Sequence, residues 1–461
     1  MRPLIEVMES DSIAIFGASQ DPTKPGAMLL KVLRETEYQG RVAGINPKGG
    51  EVHGFPLYKN LDEVPFQIEL AVMLIPPPLI PQAAAECARN GVKGIVITAE
   101  GFKESGEEGN KYQNEIAEIL KSSGMRGFGP NTLGIVNTES GLTTSYFSDD
   151  RMLVRGHIGF AAQSGIFVGA LLRYLSSFEK LHISKGIGLG NKVDVDECDA
   201  MRYFAKDAQT RTIGLYLEDV RDGRKFIESA KSTSRQKPVL LLKGGRTALG
   251  ARATASHTAS LAVDDAILEG ALRQTGIVRV EGIDEMIGSL MGFEWMPLPR
   301  GDKLAIVTFS GAQAIMSVDA AVRNGLGMAK FTPETSKSLS SVISTETKAL
   351  NPIDIYPDMN KHGFEKTNTE ILKALFKDEG VNGILFIVMG GADMTQFNPL
   401  LDVIRSNRSK PIFVSMMGTR EDEKQSFDFM MRNRVPCFKF PELAVKTFAN
   451  MWQYASWLKS M

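Results

Sequence analysis

The chain has 461 residues, room for about three domains of ordinary size, and 43% hydrophobic with 23% charged residues is the balance of a globular protein. Lys and Arg number 53 against 54 Asp and Glu, so the formal net charge of −1 gives no global field for nucleic acid or an acidic membrane surface. Cys87, Cys198 and Cys437 are far apart and lack CxxC spacing, which argues against a disulfide framework or a metal site and makes a reducing cytoplasm the expected compartment.

The opening residues carry acids where a secretory signal needs an unbroken apolar stretch, and no later run approaches a membrane span. From Ser12 to about Val136, β-branched runs at 13–16, 42–45, 71–75, 94–98 and 126–128 alternate with helix-period stretches. Near-continuous apolar strands separated by helices imply a parallel sheet covered on both faces, a Rossmann-like module. Ligands of such sheets gather at the carboxyl ends of the strands. Those ends carry Gly17-Ala18-Ser19, with Gly26 beyond; Asn46-Pro47-Lys48; Ile75-Pro76-Pro77; Glu100-Gly-Phe102; and Gly129-Pro130-Asn131. A dinucleotide site needs G-x-G-x-x-G after the first strand and an acid after the second. Here serine replaces the second glycine and Lys48 stands near the acid's place, which favours coenzyme A over NAD.

Two further modules, from about Gly156 to Pro297 and from Gly301 onward, repeat one plan. A strand runs into Gln163-Ser164-Gly165 in the first and into Phe309-Ser310-Gly311 in the second; Asn191-Lys-Val-Asp194 is echoed by Asn351-Pro-Ile-Asp354. Paired motifs in the same order predict a duplicated flavodoxin-like fold. A strand ending in Ser-Gly that opens a helix leaves backbone amides free, so Gln163, Ser164, Gly165 and Ile166 form a candidate anion site. Strand 212–217 ends in Glu218-Asp219, a carboxylate at the same edge. The stretch from Lys243 through Gly244, Gly245 and Gly250 to His257 is small-residue rich and reads as a mobile arm, whereas the third module's only histidine, His362, reads as solvated surface. A neutral imidazole is a competent nucleophile, and Glu218 is the candidate to fix its tautomer. An anion site, an orienting acid and a histidine on an arm suit phosphoryl transfer through a phosphohistidine. A lone histidine in a polar loop is the plainer reading of His257 taken without that context. No G-x-x-x-x-G-K-[ST] accompanies these features, so a second polypeptide is expected to supply the nucleotide site.

These residues, together with Gly214-Leu-Tyr-Leu-Glu218, Lys243-Gly-Gly-Arg-Thr247 and Ser256-His257-Thr258, make the chain resemble, over essentially its whole length, the α subunit of ADP-forming acyl-CoA synthetases, in the superfamily of succinyl-CoA synthetase and ATP-citrate lyase. The resemblance implies a CoA-binding domain over 1–137, a flavodoxin-like domain with the phosphohistidine loop over 150–297 and a second over 300–461. It matches His257 to the phosphorylated histidine and Glu218 to the acid that steadies it. CoA would lie on Gly17, Ala18, Ser19, Gly26, Asn46, Pro47, Lys48, Ile75, Pro76, Pro77, Gly129, Pro130 and Asn131. Phosphate and acyl group would lie on Gln163, Ser164, Gly165, Ile166, Gly190 and Asn191, within acyl-lining stretches 160–167 and 188–194. It further implies a separate ATP-grasp β subunit holding Mg2+ and ADP or ATP in an α2β2 assembly. Thr132 stands where the family commonly has cysteine, Ala259 where it has glycine, and Glu100 is inserted in a Thr-Ala-Gly-Phe pattern; these departures bear on acyl specificity. The competing expectation is a CoA or acyl-CoA sensor of the same fold without catalysis, against which the presence of both Glu218 and His257 counts.

Overall fold

The computed structural model describes residues 2–147, 153–177, 180–258, 264–344, 349–391 and 394–461, with the side chains of 255–258 outside that description. The chain forms two compact units, Met1–Arg279 and Val280–Met461.

The first sheet consists of β1 (Ser12–Phe16), β2 (Arg41–Ile45), β3 (Gly50–Val52), β4 (Phe55–Tyr58), β5 (Leu70–Met73), β6 (Gly94–Ile97) and β7 (Arg126–Phe128), in the order β3-β4-β2-β1-β5-β6-β7. All neighbours are parallel except the β3–β4 hairpin. Strand β1 is buried throughout and β5 and β6 likewise, as a sheet covered on both faces requires. Each fully buried Ile or Leu there contributes about 1.5–3 kcal/mol. The chain runs outward through β2 and β4 and returns to β5, so the order reverses between β1 and β5, where doubly wound sheets open a crevice. The hairpin was not expected from sequence, and β5 stops two residues before Ile75 because Pro76 to Pro78 lack the ladder's donor.

The second sheet contains β8 (Ile135–Asn137), β9 (Leu142–Thr143), β10 (Ile158–Ala162), β11 (Ile183–Gly188), β12 (Thr212–Leu217), β13 (Val239–Lys243) and β14 (Val278–Val280), ordered β14-β13-β12-β10-β11-β8-β9. Leaving aside the antiparallel β8 and β9, the order is flavodoxin-like, with its switch point between β10 and β12. Residues 127–134 are stitched to the chain after β11: the amides of Asn191, Val193 and Val195 donate to the carbonyls of Pro130, Gly129 and Gly127 at 2.9, 2.8 and 3.0 Å. The carboxyl edges of the two sheets therefore meet.

The second unit repeats the topology: β15 (Lys303–Thr308), β16 (Gly327–Met328), β17 (Ile353–Asp354), β18 (Gly383–Met389), β19 (Ile412–Met417) and β20 (Cys437–Phe438) run β16-β15-β18-β19-β20, with β17 beside β15. Helix Ile283–Trp295 belongs to this unit, although the sequence pattern groups it with the module ending at 297. Its Gly288 and Gly292 let helix Pro441–Lys459 approach so closely that an added Cβ would lie 2.9 Å from Thr447 and 2.8 Å from Met451.

One expectation is corrected outright. The small-residue segment, read from sequence as a flexible loop, has the conformation of an α-helix, Ala248–Thr258. Its four alanines, together with leucine and arginine, are good helix formers, and packing near the Lys103–Ser105 turn supports a helix this short.

Candidate active site

The first βα turn follows from crowding. Gly17 has φ +84°, and a Cβ on it would lie 2.2 Å from the carbonyl oxygen of Leu74, so the turns after β1 and β5 touch where the strand order reverses. Gly26 packs on Gly17 just as tightly, seating helix Pro25–Glu35 against that turn with no side chain capping its first amides. Asn46 Nδ2 donates to the carbonyl of Ala18 at 2.5 Å and its Oδ1 accepts from Lys48 N at 2.9 Å, which locks the second loop to the first and leaves Pro47 and Lys48 exposed. Ser19 accepts from the Asp21 amide at 3.1 Å. Ile75 and Pro77 are half-buried and Pro76 is exposed along the same edge.

At the far end of that edge lies a cavity of about 590 Å³. Thr98, Glu100 and Asn131 reach it from the first sheet; Gln163, Ser164, Gly165, Ile166, Gly190 and Asn191 reach it from the second. All six candidate phosphate and acyl residues thus share one space. Gly169, Ala170 and Arg173 continue the helical face that begins at Gly165, and Leu133, Tyr146 and Phe147 close the apolar side. That helical stretch includes a π-helical segment, Phe167–Leu171, a distortion frequent at functional sites. Phe160, Phe167, Lys192 and Asp194, expected among the acyl-lining stretches, are not part of the lining. Phe160 is core, Phe167 stacks on Tyr216 with centroids 4.0 Å apart, and Asp194 pairs with Arg126 at 2.7 Å. Of the departures, Glu100 and Thr132 both line the cavity, Thr132 being otherwise buried with its hydroxyl accepting from Gly134 N at 3.1 Å, and Ala259 lies outside the described residues.

Around the switch point of the second sheet the polar groups interlock. Gln163 Oε1 accepts from the amides of Glu218 and Asp219 at 2.5 and 3.0 Å, while its Nε2 donates to Asp219 Oδ1 at 2.7 Å. Lys192, fully buried, lies 2.7 Å from both Asp219 Oδ1 and Glu197 Oε2. Glu218, 6% exposed, meets the Tyr216 hydroxyl at 3.3 Å; burial, with the Glu218 charge adding to it, pushes that phenol up to about 12. Lys243 Nζ donates to the Glu218 carbonyl at 2.7 Å and to that of Gly244, and burial pulls its pKa down. Gly244 passes so close above that a Cβ on it would sit 2.7 Å from the Tyr216 hydroxyl and 3.4 Å from Glu218 Cγ. The next turn carries the chain into helix Ala248–Thr258, which packs near the Lys103–Ser105 turn. The backbone of His257 is in that helix; its side chain falls outside the described residues.

Several residues were not found by reading the sequence. Glu104 accepts from Gly101 N and Phe102 N at 2.8 and 3.1 Å and from Asn191 Nδ2 at 2.6 Å, tying the two sheets' loops across the cavity rim. Arg221 donates to the carbonyls of Lys192, at 2.5 Å, and Asn191. Lys192 stands inside a motif noticed only as a repeat, and a single buried lysine leaves no periodic trace.

Two family models match the chain: a CoA binding domain over residues 11–138 and a succinyl-CoA ligase like flavodoxin domain over 155–293. The chain is 36% identical over 437 residues to the acetate–CoA ligase [ADP-forming] II subunit alpha of Pyrococcus furiosus, covering 93% of each. It is 34% identical to acetate–CoA ligase [ADP-forming] II of Archaeoglobus fulgidus, covering 96% of this chain and 66% of that longer one. Among solved structures, the dinucleotide forming acetyl-coenzyme A synthetase 1 of Ca. Korarchaeum cryptofilum, in complex with phosphate and ADP, superposes with a TM-score of 0.92 at 30% identity, covering 100% of this chain and 98% of that one. By length matched and identity, the chain belongs to the family of ADP-forming acetate–CoA ligase α subunits.

Proposed function

We propose that the chain is the α subunit of an NDP-forming acyl-CoA synthetase, interconverting acyl-CoA, ADP and phosphate with the free acid, CoA and ATP. The observation that carries this reading is the meeting of two carboxyl edges at one cavity. From the Lys48 loop after β2 to the Asn131 loop after β7 there are four inter-strand steps, about 19 Å in all at about 4.8 Å each. An extended ligand with its phosphates near Lys48 and the open N-terminus of helix Pro25–Glu35 would bring its thioester end to the cavity. In the first step, phosphate held near the amides of Gly165 and Ile166 attacks the acyl carbon, the C–S bond breaks, and CoA leaves with the phosphate proton as a thiol. The acyl phosphate then gives its phosphoryl group to a His257 ring nitrogen and the carboxylate departs.

Glu218 supports this by its place: a buried carboxylate beneath the Gly244 turn that leads into the histidine's helix. Its bond to one imidazole nitrogen would leave the other as the nucleophile. The phosphoryl group passes on to ADP with Mg2+ on an ATP-grasp β subunit, in an α2β2 assembly in the cytoplasm. Incubating the chain with acyl-CoA and [32P]phosphate, together with the β subunit, should leave acid-labile label on the protein that is lost in His257→Ala. Absence of label on the unaltered chain would instead favour the non-catalytic CoA sensor.

A further inference from the structure

Gln163 is a neutral side chain whose orientation is completely specified. Only an oxygen can accept from the two amides of Glu218 and Asp219, and only the nitrogen can face the Asp219 carboxylate, so Oε1 and Nε2 are assigned by two independent partners. One Nε2 hydrogen goes to Asp219. Among the described residues the other has no acceptor, although Gln163 is only 7% exposed and lines the cavity beside Ser164 and Gly165. A donor held in a confined site with nothing to donate to is poised for a ligand atom.

Resting on the proposed function, we infer that Gln163 donates this hydrogen to the thioester carbonyl oxygen, and that Asp219, steadied by the buried Lys192, is the positioning residue that aims it. When phosphate attacks, the carbonyl π pair moves onto that oxygen, giving a tetrahedral oxyanion; the pair returns as the C–S bond breaks and the sulfur leaves as a thiol with the phosphate proton. Gln163 gains strength of interaction as the negative charge develops and gives up no proton. A neutral amide fits a carbonyl that is neutral in the ground state, whereas the phosphate takes the positive end of the Gly165 helix. Lys192 matters because it neutralises Asp219 at 2.7 Å while Glu197, at the same distance, fixes the lysine.

The test uses the complete complex with its β subunit and enters the reaction from both ends, with acetyl-CoA plus [32P]phosphate and with [γ-32P]ATP. For Gln163→Leu, CoA release should fall about 10²-fold in kcat, with KM for acetyl-CoA and for phosphate nearly unchanged. Labelling from ATP does not pass through the thioester carbonyl and should fall by less than about tenfold, the part that comes from leaving the Glu218 and Asp219 amides without Oε1, and a thermal melt reports that the variant is folded. Asp219→Ala should lower the same kcat about tenfold, and Asp219→Asn, which keeps an oxygen for Gln163 and Lys192, should restore it. A raised phosphate KM with kcat unchanged, equal losses from both ends, or no rescue by asparagine would overturn the inference. An unaltered complex labelled from neither end would sink the proposed function itself, and this inference with it.

Discussion

The second and third sheets share an order of strands, and their registers align residue for residue. Ala162 pairs with Tyr216 as Thr308 pairs with Ile387, so Gln163, Glu218 and Asp219 correspond to Phe309, Met389 and Gly390. The backbone contact that begins each turn is the same, Gln163 N to the Tyr216 carbonyl at 3.1 Å and Phe309 N to the Ile387 carbonyl at 3.3 Å. In one sheet the three positions hold an interlocked amide and two carboxylates; in the other, a ring, a thioether 60% exposed and a glycine. Even the serine differs in use: Ser310 caps its own helix by accepting from Gln313 N at 3.5 Å. A topological switch point is thus only an opportunity, and the side chains at the strand ends decide whether chemistry occupies it.

The most severe way to break that comparison is to truncate both counterparts. Glu218→Ala should reduce phosphorylation of the chain about 10³- to 10⁴-fold, as loss of an orienting acid does, while Met389→Ala should change it less than about twofold. Rapid-quench labelling measures both, and equal losses would deny that the two edges differ in role. Next in size is Lys192. The repeat places Lys192 opposite Pro352, so the third sheet has no counterpart of this buried charge at that position. Lys192→Met strands Asp219 and Glu197 and should lower stability by about 3–5 kcal/mol in urea unfolding. A loss under about 1 kcal/mol would mean that water reaches the cluster.

How much of this could be read in the sequence follows from what each residue's signal is. The strands of the first sheet were legible because both faces are buried and the apolar runs are unbroken; the β3–β4 hairpin was not, since Gly50–Val52 and Phe55–Tyr58 are short, lie at the sheet's edge and carry no unbroken buried run. The echo of Gln163-Ser-Gly165 in Phe309-Ser-Gly311 gave the duplication, yet the sharper fact, that Met389 stands in the place of Glu218, requires the register. The chain's crossing from one sheet to the other at 129–134 was hidden for another reason. Its hydrogen bonds join backbone groups, which carry no sequence signature. Glu104 and Lys192 were missed because their partners lie 87 and 27 residues away, at Asn191 and Asp219.

The mildest expected effect comes from the paired asparagines. Among the described residues Asn351 bonds only to backbone, accepting from Ile306 N at 2.9 Å and donating to the carbonyls of Leu304 and Ala329 at 2.8 and 3.1 Å. Asn191 instead donates to a titratable group, Glu104, at 2.6 Å. Burial pushes that carboxyl up, but bonds from the amides of Phe102 and Gly101 and from Asn191 outweigh it and hold it below the ordinary range. A depressed carboxyl contributes stability that is present above its unfolded value, about 4.3, and that disappears as pH falls through the lower folded value. Unfolding of the unaltered chain and of Glu104→Gln should therefore differ at neutral pH and converge below about pH 4, whereas the cost of Asn351→Ala should be flat across the same range. If the two curves bend alike, the loops at both sheets are held by the same kind of bond, and the second sheet's edge owes its distinctness to the Gln163 cluster alone.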